Sequence, residues 1–171
     1  MKINDHHESL FIQACLASTT DLNAHPLWRH AMKITVPVEE FTTPDPITVT
    51  EDMPIDDLRR LMERHGVRHL PVVRGGAVTG VISDRDVRLF SGLTAAEKLQ
   101  LRAVDIMAED PLTVSASTPL DEVAYAMSKN KVGSVIVKDE SGQFLGIFTA
   151  TDALNALIEI FRGEGEEGTH G

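Results

Sequence analysis

The sequence predicts an α+β fold, of the α/β type, built from two copies of one β-α-β-β-α unit behind an N-terminal helical extension. Three observations predict it: an internal repeat, the same order of helical and strand periodicity in each copy, and turn signals at matching places. Asp45-Pro-Ile-Thr-Val49 matches Asp110-Pro-Leu-Thr-Val114, an offset of 65 positions. The match continues through Pro54/Pro119, Asp56/Asp121, Met62/Met127, Val67/Val132 and Val72/Val137. After a one-residue insertion near Ser141 it resumes, with Gly80-Val-Ile-Ser-Asp-Arg-Asp86 against Gly146-Ile-Phe-Thr-Ala-Thr-Asp152. Self-similarity at a fixed period marks a repeated supersecondary unit. Repeat one is read over residues 42–91, a linker over 92–104 and repeat two over 105–161.

Each copy opens with a short extended piece, around Thr48-Val49 or Thr113-Val114, followed by Pro54 or Pro119 at a position suited to the first turn of a helix. Ile55, Leu58, Leu61 and Met62 then fall on one helical face, as do Leu120, Val123, Ala124 and Met127, and these faces are expected in the core. Asp56-Asp57 and Asp121-Glu122 favour the positive end of each helix. Next come two hairpins. His69–Val73 and Ala77–Ile82 flank the Gly75-Gly76 turn, and Gly133–Val137 and Phe144–Phe148 flank Ser141-Gly142. A second helix is expected beside Asp86 and another beside Asp152, the latter with Leu154, Leu157, Ile158 and Phe161 on a broad apolar face. Thr94-Ala-Ala-Glu97 has capping-box spacing and should start a short connecting helix through about Leu101.

Outside the repeats, residues 1–41 read as a helix over Asp5–Ala17 and an irregular stretch around Trp28, able to pad the module, its dimer interface or a partner. Residues 162–171, rich in Gly and Glu, offer little apolar surface to bury and are expected to be mobile.

Composition narrows the function. With 42% hydrophobic and 25% charged residues the chain can bury a core. Its 26 Asp and Glu outweigh 16 Lys and Arg for a net charge of -10, which opposes binding to nucleic acid or anionic membranes. Arg59, Arg60, Arg64, Arg68, Arg74, Arg85 and Arg88 nevertheless gather mid-chain, a local concentration that a small anion can use. One cysteine, Cys15, excludes an internal disulfide and fits a reducing, cytoplasmic setting. The Leu10–Cys15 stretch has the outline of a lipoprotein cleavage box, but Gln13 breaks its apolar run and Asp5 and Glu8 stand where positive charge is needed. No apolar run approaches the roughly 20 residues that span a bilayer. The seven histidines lack metal-ligand spacing, and no nucleophile, base and orienter set or phosphate loop of the GxxxxGK[ST] type is present, so neither a metal nor a catalytic site is expected.

The ordered features of the two copies resemble the CBS domain, which typically occurs as a tandem pair called a Bateman module. The resemblance covers residues 42–161 and rests on Met107-Ala-Glu-Asp-Pro111, on the Leu70-Pro71-Val72 strand start, and on the paired Gly-apolar-apolar-[Ser/Thr]-x-x-Asp segments. It implies two repeats packed sheet to sheet about a pseudo-two-fold axis, with two clefts for adenosine-containing ligands such as AMP, ADP, ATP or S-adenosylmethionine. The first cleft would use Thr42, Ile47, Val67, Arg68 and His69 with Thr149, Thr151 and Asp152. The second would use Met107, Leu112, Val132, Gly133 and Ser134 with Ser83, Arg85 and Asp86.

The resemblance gives these residues roles that their chemistry fits. Asp86 and Asp152 can accept both ribose hydroxyls, and Ser83, Thr149 and Thr151 can donate to phosphate oxygens beside helix N-termini. Arg85 and Arg68 would supply countercharge, and adenine would lie against Ile47 and Val67, or Leu112 and Val132. Plainer roles stand beside these: either aspartate can simply cap its helix, Ser83 and Thr149 can satisfy local backbone, and Arg59, Arg60 and Arg64 can form a solvated face. Thr42-Thr-Pro-Asp-Pro46 replaces the family's Met-x-x-x-Pro in repeat one. Repeat two has Ile136 in place of the strand-start proline, and Ala150 and Thr151 where repeat one has Asp84 and Arg85. The two clefts should therefore differ. The expected function is a regulatory sensor, homodimeric through amphipathic helices and signalling to a separate effector protein. The alternative is a structural or interaction dimer with empty clefts.

Overall fold

A computed structural model describes residues 36–163. The helix expected over Asp5–Ala17, the Trp28 stretch, Cys15 and the terminal run from residue 164 lie outside the described residues. A 3-10 turn, Val38–Phe41, leads into β1 (Thr43–Pro44), β2 (Val49–Thr50), α1 (Ile55–His65), β3 (His69–Arg74), β4 (Ala77–Ser83) and α2 (Asp84–Leu89). Two short helices follow, α3 (Ala95–Lys98) within the linker and α4 (Ala103–Ile106) crossing from it into repeat two. Repeat two follows as β5 (Ala108–Glu109), β6 (Thr113–Ser115), α5 (Leu120–Asn130), β7 (Ser134–Lys138), β8 (Phe144–Thr149) and α6 (Ala150–Gly163). The α+β fold and the β-α-β-β-α unit are both realised, each unit preceded by an additional two-residue strand.

Helix starts and stops follow local chemistry. Pro54 and Pro119 are N-caps in extended geometry, one position before the first turn where sequence placed them. Their missing N–H is harmless there, because first-turn donors have no partner within a helix. Helix α1 ends on Gly66 at φ 65°. Helix α5 ends at the aligned position on Lys131, also left-handed at φ 56°. The Thr94 box forms as expected: the Thr94 amide and hydroxyl donate to Glu97 Oε2 at 2.8 and 2.7 Å.

The strand orders are β2-β3-β4-β5 and β1-β8-β7-β6, so each sheet takes three strands from one repeat and its fourth from the other. The exchange is symmetric: Thr43 pairs with Ile147 and Pro44 with Gly146, while Ala108 pairs with Val81 and Glu109 with Gly80. These register pairs are related by the repeat offset, as a pseudo-two-fold requires. A glycine stands at each crossing. A Cβ on Gly146 would overlap the Thr43 carbonyl oxygen, and one on Gly80 would meet the Met107 side chain and come within 3.0 Å of the Ala108 carbonyl oxygen.

Three apolar clusters hold the unit together. The first buries Ile55, Leu58 and Met62 of α1 against Leu70, Val72 and Ile82, with Ala103 and Ile106 of α4. The second buries Leu120, Val123 and Met127 of α5 against Val135, Val137 and Phe148. It also includes Val38, fully buried although sequence placed it in the extension, and anchored by its amide to the Thr118 carbonyl at 2.9 Å. The third joins Val81 to Ile136 and Ile147, so the two sheets touch.

One expectation about packing is corrected. Ala124, assigned to the core face of α5, is exposed, because Leu120, Val123 and Met127 already form the inward stripe. Helix α6 buries Ala156, with Ala153 and Ile160 packed alongside, and leaves Leu154, Leu157, Ile158 and Phe161 exposed, the last at 62%. It also runs to Gly163, two residues beyond the expected end of the repeat. No helix among the described residues is long and apolar enough to cross a membrane.

Candidate functional site

At each junction from hairpin to second helix, a hydroxyl residue and an aspartate three positions on bind each other. The Ser83 amide and hydroxyl donate to Asp86 Oδ2 at 2.8 and 2.6 Å, and the Asp86 amide returns a bond to Ser83 Oγ at 3.3 Å. Thr149 and Asp152 repeat the arrangement at 2.8, 2.7 and 3.4 Å. The capping role that sequence left open is therefore present in both copies. It occupies Oδ2 alone, since Oδ1 of each aspartate has no hydrogen-bond partner among the described residues. The hydroxyl hydrogens of Ser83 and Thr149 point at carboxylates rather than toward an incoming phosphate. Donation to phosphate is left to Thr151, whose Oγ1 accepts from Arg68 Nη2 at 2.8 Å and keeps its own hydrogen free.

Ile47, Val67, Arg68, His69, Thr149, Thr151 and Asp152 line one cavity of about 420 Å³. Of the residues expected in this first cleft, Thr42 is missing from the wall: its hydroxyl donates to the Val38 carbonyl at 2.9 Å and its methyl lies against Gly146. Leu112, Val132, Gly133, Ser134, Ser83 and Asp86 line the second cleft, of only about 150 Å³. Met107 packs against the first core cluster, beside Gly80, and does not line that cleft. Arg85 opens onto a third space, a groove of about 600 Å³ that borders both clefts. Ligand cavities ordinarily measure about 300–1,000 Å³, a range that includes cleft one, while cleft two is continuous with the groove through His69, Ser83, Asp86, Val132 and Gly133.

Sequence reasoning missed Asp45, Pro46, Gly66 and Ile147 on the wall of cleft one and Lys131 on the groove. Asp45 and its repeat mate Asp110 are left-handed, at φ 46° and 49°, immediately before a proline in each case. Aspartate tolerates that region better than most residues, so the paired Asp-Pro steps were the available signal.

His69 borders both clefts and the groove. Burial pushes its pKa below 6.5, helped by the Arg68 charge and opposed by Asp86, Asp152 and Asp84. The folded state then binds a proton less readily than the unfolded chain, so stability should fall as pH drops through 6.5 and below. Urea titrations between pH 7.5 and 5.5 are expected to show that slope reduced in His69→Gln. An unchanged slope would assign the pH dependence to other groups.

Helix α6 presents its N-terminal N–H groups beside Thr151 and Asp152, where an anion would complete their bonding. No cluster of His, Cys, Asp or Glu able to hold a metal ion occurs among the described residues.

Comparison with known proteins bears on the family and the fold. The family model for the CBS domain matches residues 38–91 and 103–159. A CBS domain-containing protein of Dictyostelium discoideum is 30% identical over 133 residues, covering 72% of this chain and 92% of its own length. The inosine-5'-monophosphate dehydrogenase of Korarchaeum cryptofilum is 35% identical over 130 residues, 76% of this chain, but the match spans only 26% of the enzyme. Among solved structures, CBSX2 from Arabidopsis thaliana superposes with a TM-score of 0.65 at 27% identity, covering 74% of this chain and 96% of that one. CBSX2 has also been solved in complex with AMP, matching at TM-score 0.62, 26% identity and coverage of 72% and 97%. The CBS domain pair of protein MJ0100, in complex with 5-methylthioadenosine and S-adenosyl-L-methionine, matches at TM-score 0.63 and 27% identity, covering 76% of this chain and 98% of that one.

Proposed function

This chain belongs to the CBS-domain family as a tandem pair of repeats, and from that premise we propose that it is a regulatory module binding an adenosine-containing ligand in cleft one and signalling to a separate effector protein. The observation that carries the reading is the makeup of that cleft. Apolar walls from Ile47 and Val67 suit a purine, Asp152 Oδ1 is free for ribose hydroxyls, and Thr151, Arg68 and the α6 N-terminus suit a phosphate. The AMP complex of CBSX2 and the S-adenosyl-L-methionine complex of MJ0100 support the ligand class.

Signalling follows from what the ligand displaces. Arg68 and Thr151 bond across the mouth of the cleft, joining repeat one to repeat two. A phosphate competing for both groups changes that junction, and the resulting shift is limited to the ligand's differential affinity for the two arrangements. Helix α6 starts in this cleft and carries its exposed Leu154, Leu157, Ile158 and Phe161 on its outer side. A second copy of the chain covering that face would form the homodimer and place ligand and interface on one helix.

The test is thermal denaturation with AMP, ADP, ATP, S-adenosylmethionine or no ligand, repeated with Asp152→Ala. A ligand at about 100 times its Kd adds roughly 2.7 kcal/mol, a rise of about 5–10 °C for a chain of this size. Asp152→Ala lowers the starting Tm by removing a cap, so the readout is the ligand-induced shift within each protein. A shift in the wild type that vanishes in the variant supports the sensor. No shift with any ligand leaves the alternative, a scaffold-like dimer with empty clefts.

A further inference from the structure

We propose that residues 36–45 form a strap whose docking on repeat two and whose shaping of cleft one are a single event, so that filling the cleft fastens the chain where it enters repeat one. The coupling of strap to cleft stands on the fold alone, and only its answer to a ligand rests on the adenosine reading above.

Residues 36–41 and 101–106 occupy equivalent places on opposite repeats. The Leu120 amide donates to the Val36 carbonyl at 2.9 Å, as the Ile55 amide does to Leu101 at 3.2 Å. The Val38 and Glu39 amides donate to the Thr118 and Ala116 carbonyls at 2.9 and 3.2 Å, as Ala103 and Val104 do to Met53 and Glu51 at 2.9 and 3.0 Å. Partners in the two sets are related by the repeat offset, so each repeat is completed by the segment that leads into the other. The tethers differ. Residues 101–106 join the two repeats and are held at both ends, whereas residues 36–41 have a repeat on their C-terminal side only. Undocking the strap therefore requires no movement of either hairpin, and local openings of that kind cost less than global unfolding.

The strap runs straight into the cleft. Val38, fully buried in the second cluster, accepts at its carbonyl the Thr42 hydroxyl at 2.9 Å. Strand β1 then pairs with β8, and the Asp45 amide donates to the Leu145 carbonyl at 3.3 Å. Thr43, Asp45, Pro46 and Ile47 line cleft one. Pro44 and Pro46 fix φ on either side of Asp45, itself at φ 46°, so this stretch shifts as one stiff piece instead of bending in the middle. Drawing Val38 out of its pocket therefore displaces the Ile47 wall. A ligand held between Ile47 and Asp152 opposes that displacement, because it binds only the arrangement in which both walls are in place.

Hydrogen exchange of the full chain, resolved to single amides, tests this in wild type and Val38→Ala, without ligand and with saturating AMP. Without ligand, the Val38, Glu39 and Asp45 amides should share one level of protection, at least about tenfold below that of β7. Val38→Ala should lower all three together by about tenfold or more, since it removes two buried carbons. Thr42→Val, which removes only the bond to the Val38 carbonyl, is a milder second variant with a smaller fall expected at the same amides. AMP at about 100 times its Kd should slow all three by up to about a hundredfold. Protection equal to that of β7 overturns the strap, because it then opens only with the whole repeat. An Asp45 amide indifferent to both variants overturns it as well, because docking and wall are then separate. AMP that raises the Tm without slowing the strap overturns the coupling and leaves the adenosine site standing. No effect of AMP on Tm or exchange, with Asp45 still following Val38, supports the strap and removes AMP as the ligand.

Discussion

Gly146→Ala is expected to destabilise the protein by about 3 kcal/mol or more, and Gly80→Ala by about 1–2 kcal/mol, although the two glycines occupy equivalent places in the repeat. The difference lies in what the new methyl meets. At Gly146 it overlaps the carbonyl oxygen of Thr43, a main-chain atom fixed by the pairing of β1 with β8. At Gly80 the nearest atoms belong to the side chain of Met107, whose unbranched thioether can swing aside. The expected result in Gly146→Ala is also functional. Strand β1 leads directly to Asp45, Pro46 and Ile47, so displacing it opens the wall of cleft one. Urea midpoints for the two variants, with ligand-induced thermal shifts beside them, check both parts. Equal losses would mean that the main chain at β1 yields as easily as the methionine does.

The asymmetry between these glycines shows what kind of information the sequence carried. The repeat itself was legible because aligned apolar and turn residues preserve their order. The hairpins and the inward stripes of α1 and α5 followed from periodicity almost to the residue. The exchange of β1 and β5 between sheets was not legible, since a two-residue strand has no period to read and its partner lies about a hundred positions away for β1. Gly80 and Gly146 marked the crossings, but a glycine within a strand can equally mark a bulge.

Site residues divide in the same way. Those joined to a local motif, such as Asp86, Asp152, Ser83 and Thr149, lie on the walls of the candidate clefts, with the capping geometry that competes for their polar atoms. Met107 and Thr42 were assigned to cleft walls by resemblance, yet both lie at the glycine crossings instead, where the neighbouring backbone leaves room for them. Lys131 escaped notice because a lysine after a helix reads as an ordinary favourable end charge. Only its left-handed backbone and its place on the groove single it out.

The exchanged strands lead to the second large effect. Phe148→Ala should cost about 3–5 kcal/mol, because the ring is fully buried in the second cluster and its removal leaves a cavity among Val38, Leu120, Val123 and Val135. Against the roughly 5–15 kcal/mol that stabilises a typical domain, this is a large fraction of the margin. If the repeats folded independently, the loss would fall on repeat two alone. Three connections argue otherwise: β1 closes the sheet of repeat two, β5 closes the sheet of repeat one, and Val81 packs against Ile136 and Ile147. Unfolding either repeat strips the other of an edge strand and of part of its packing. Hydrogen exchange of Phe148→Ala is therefore expected to show protection falling by roughly a hundredfold or more in β3 and β7 alike. Loss confined to β7 would show that the repeats open separately. A shared loss would mean that a ligand in cleft one, touching both repeats, stabilises the entire pair and reaches the outer face of α6 through the same cooperative unit.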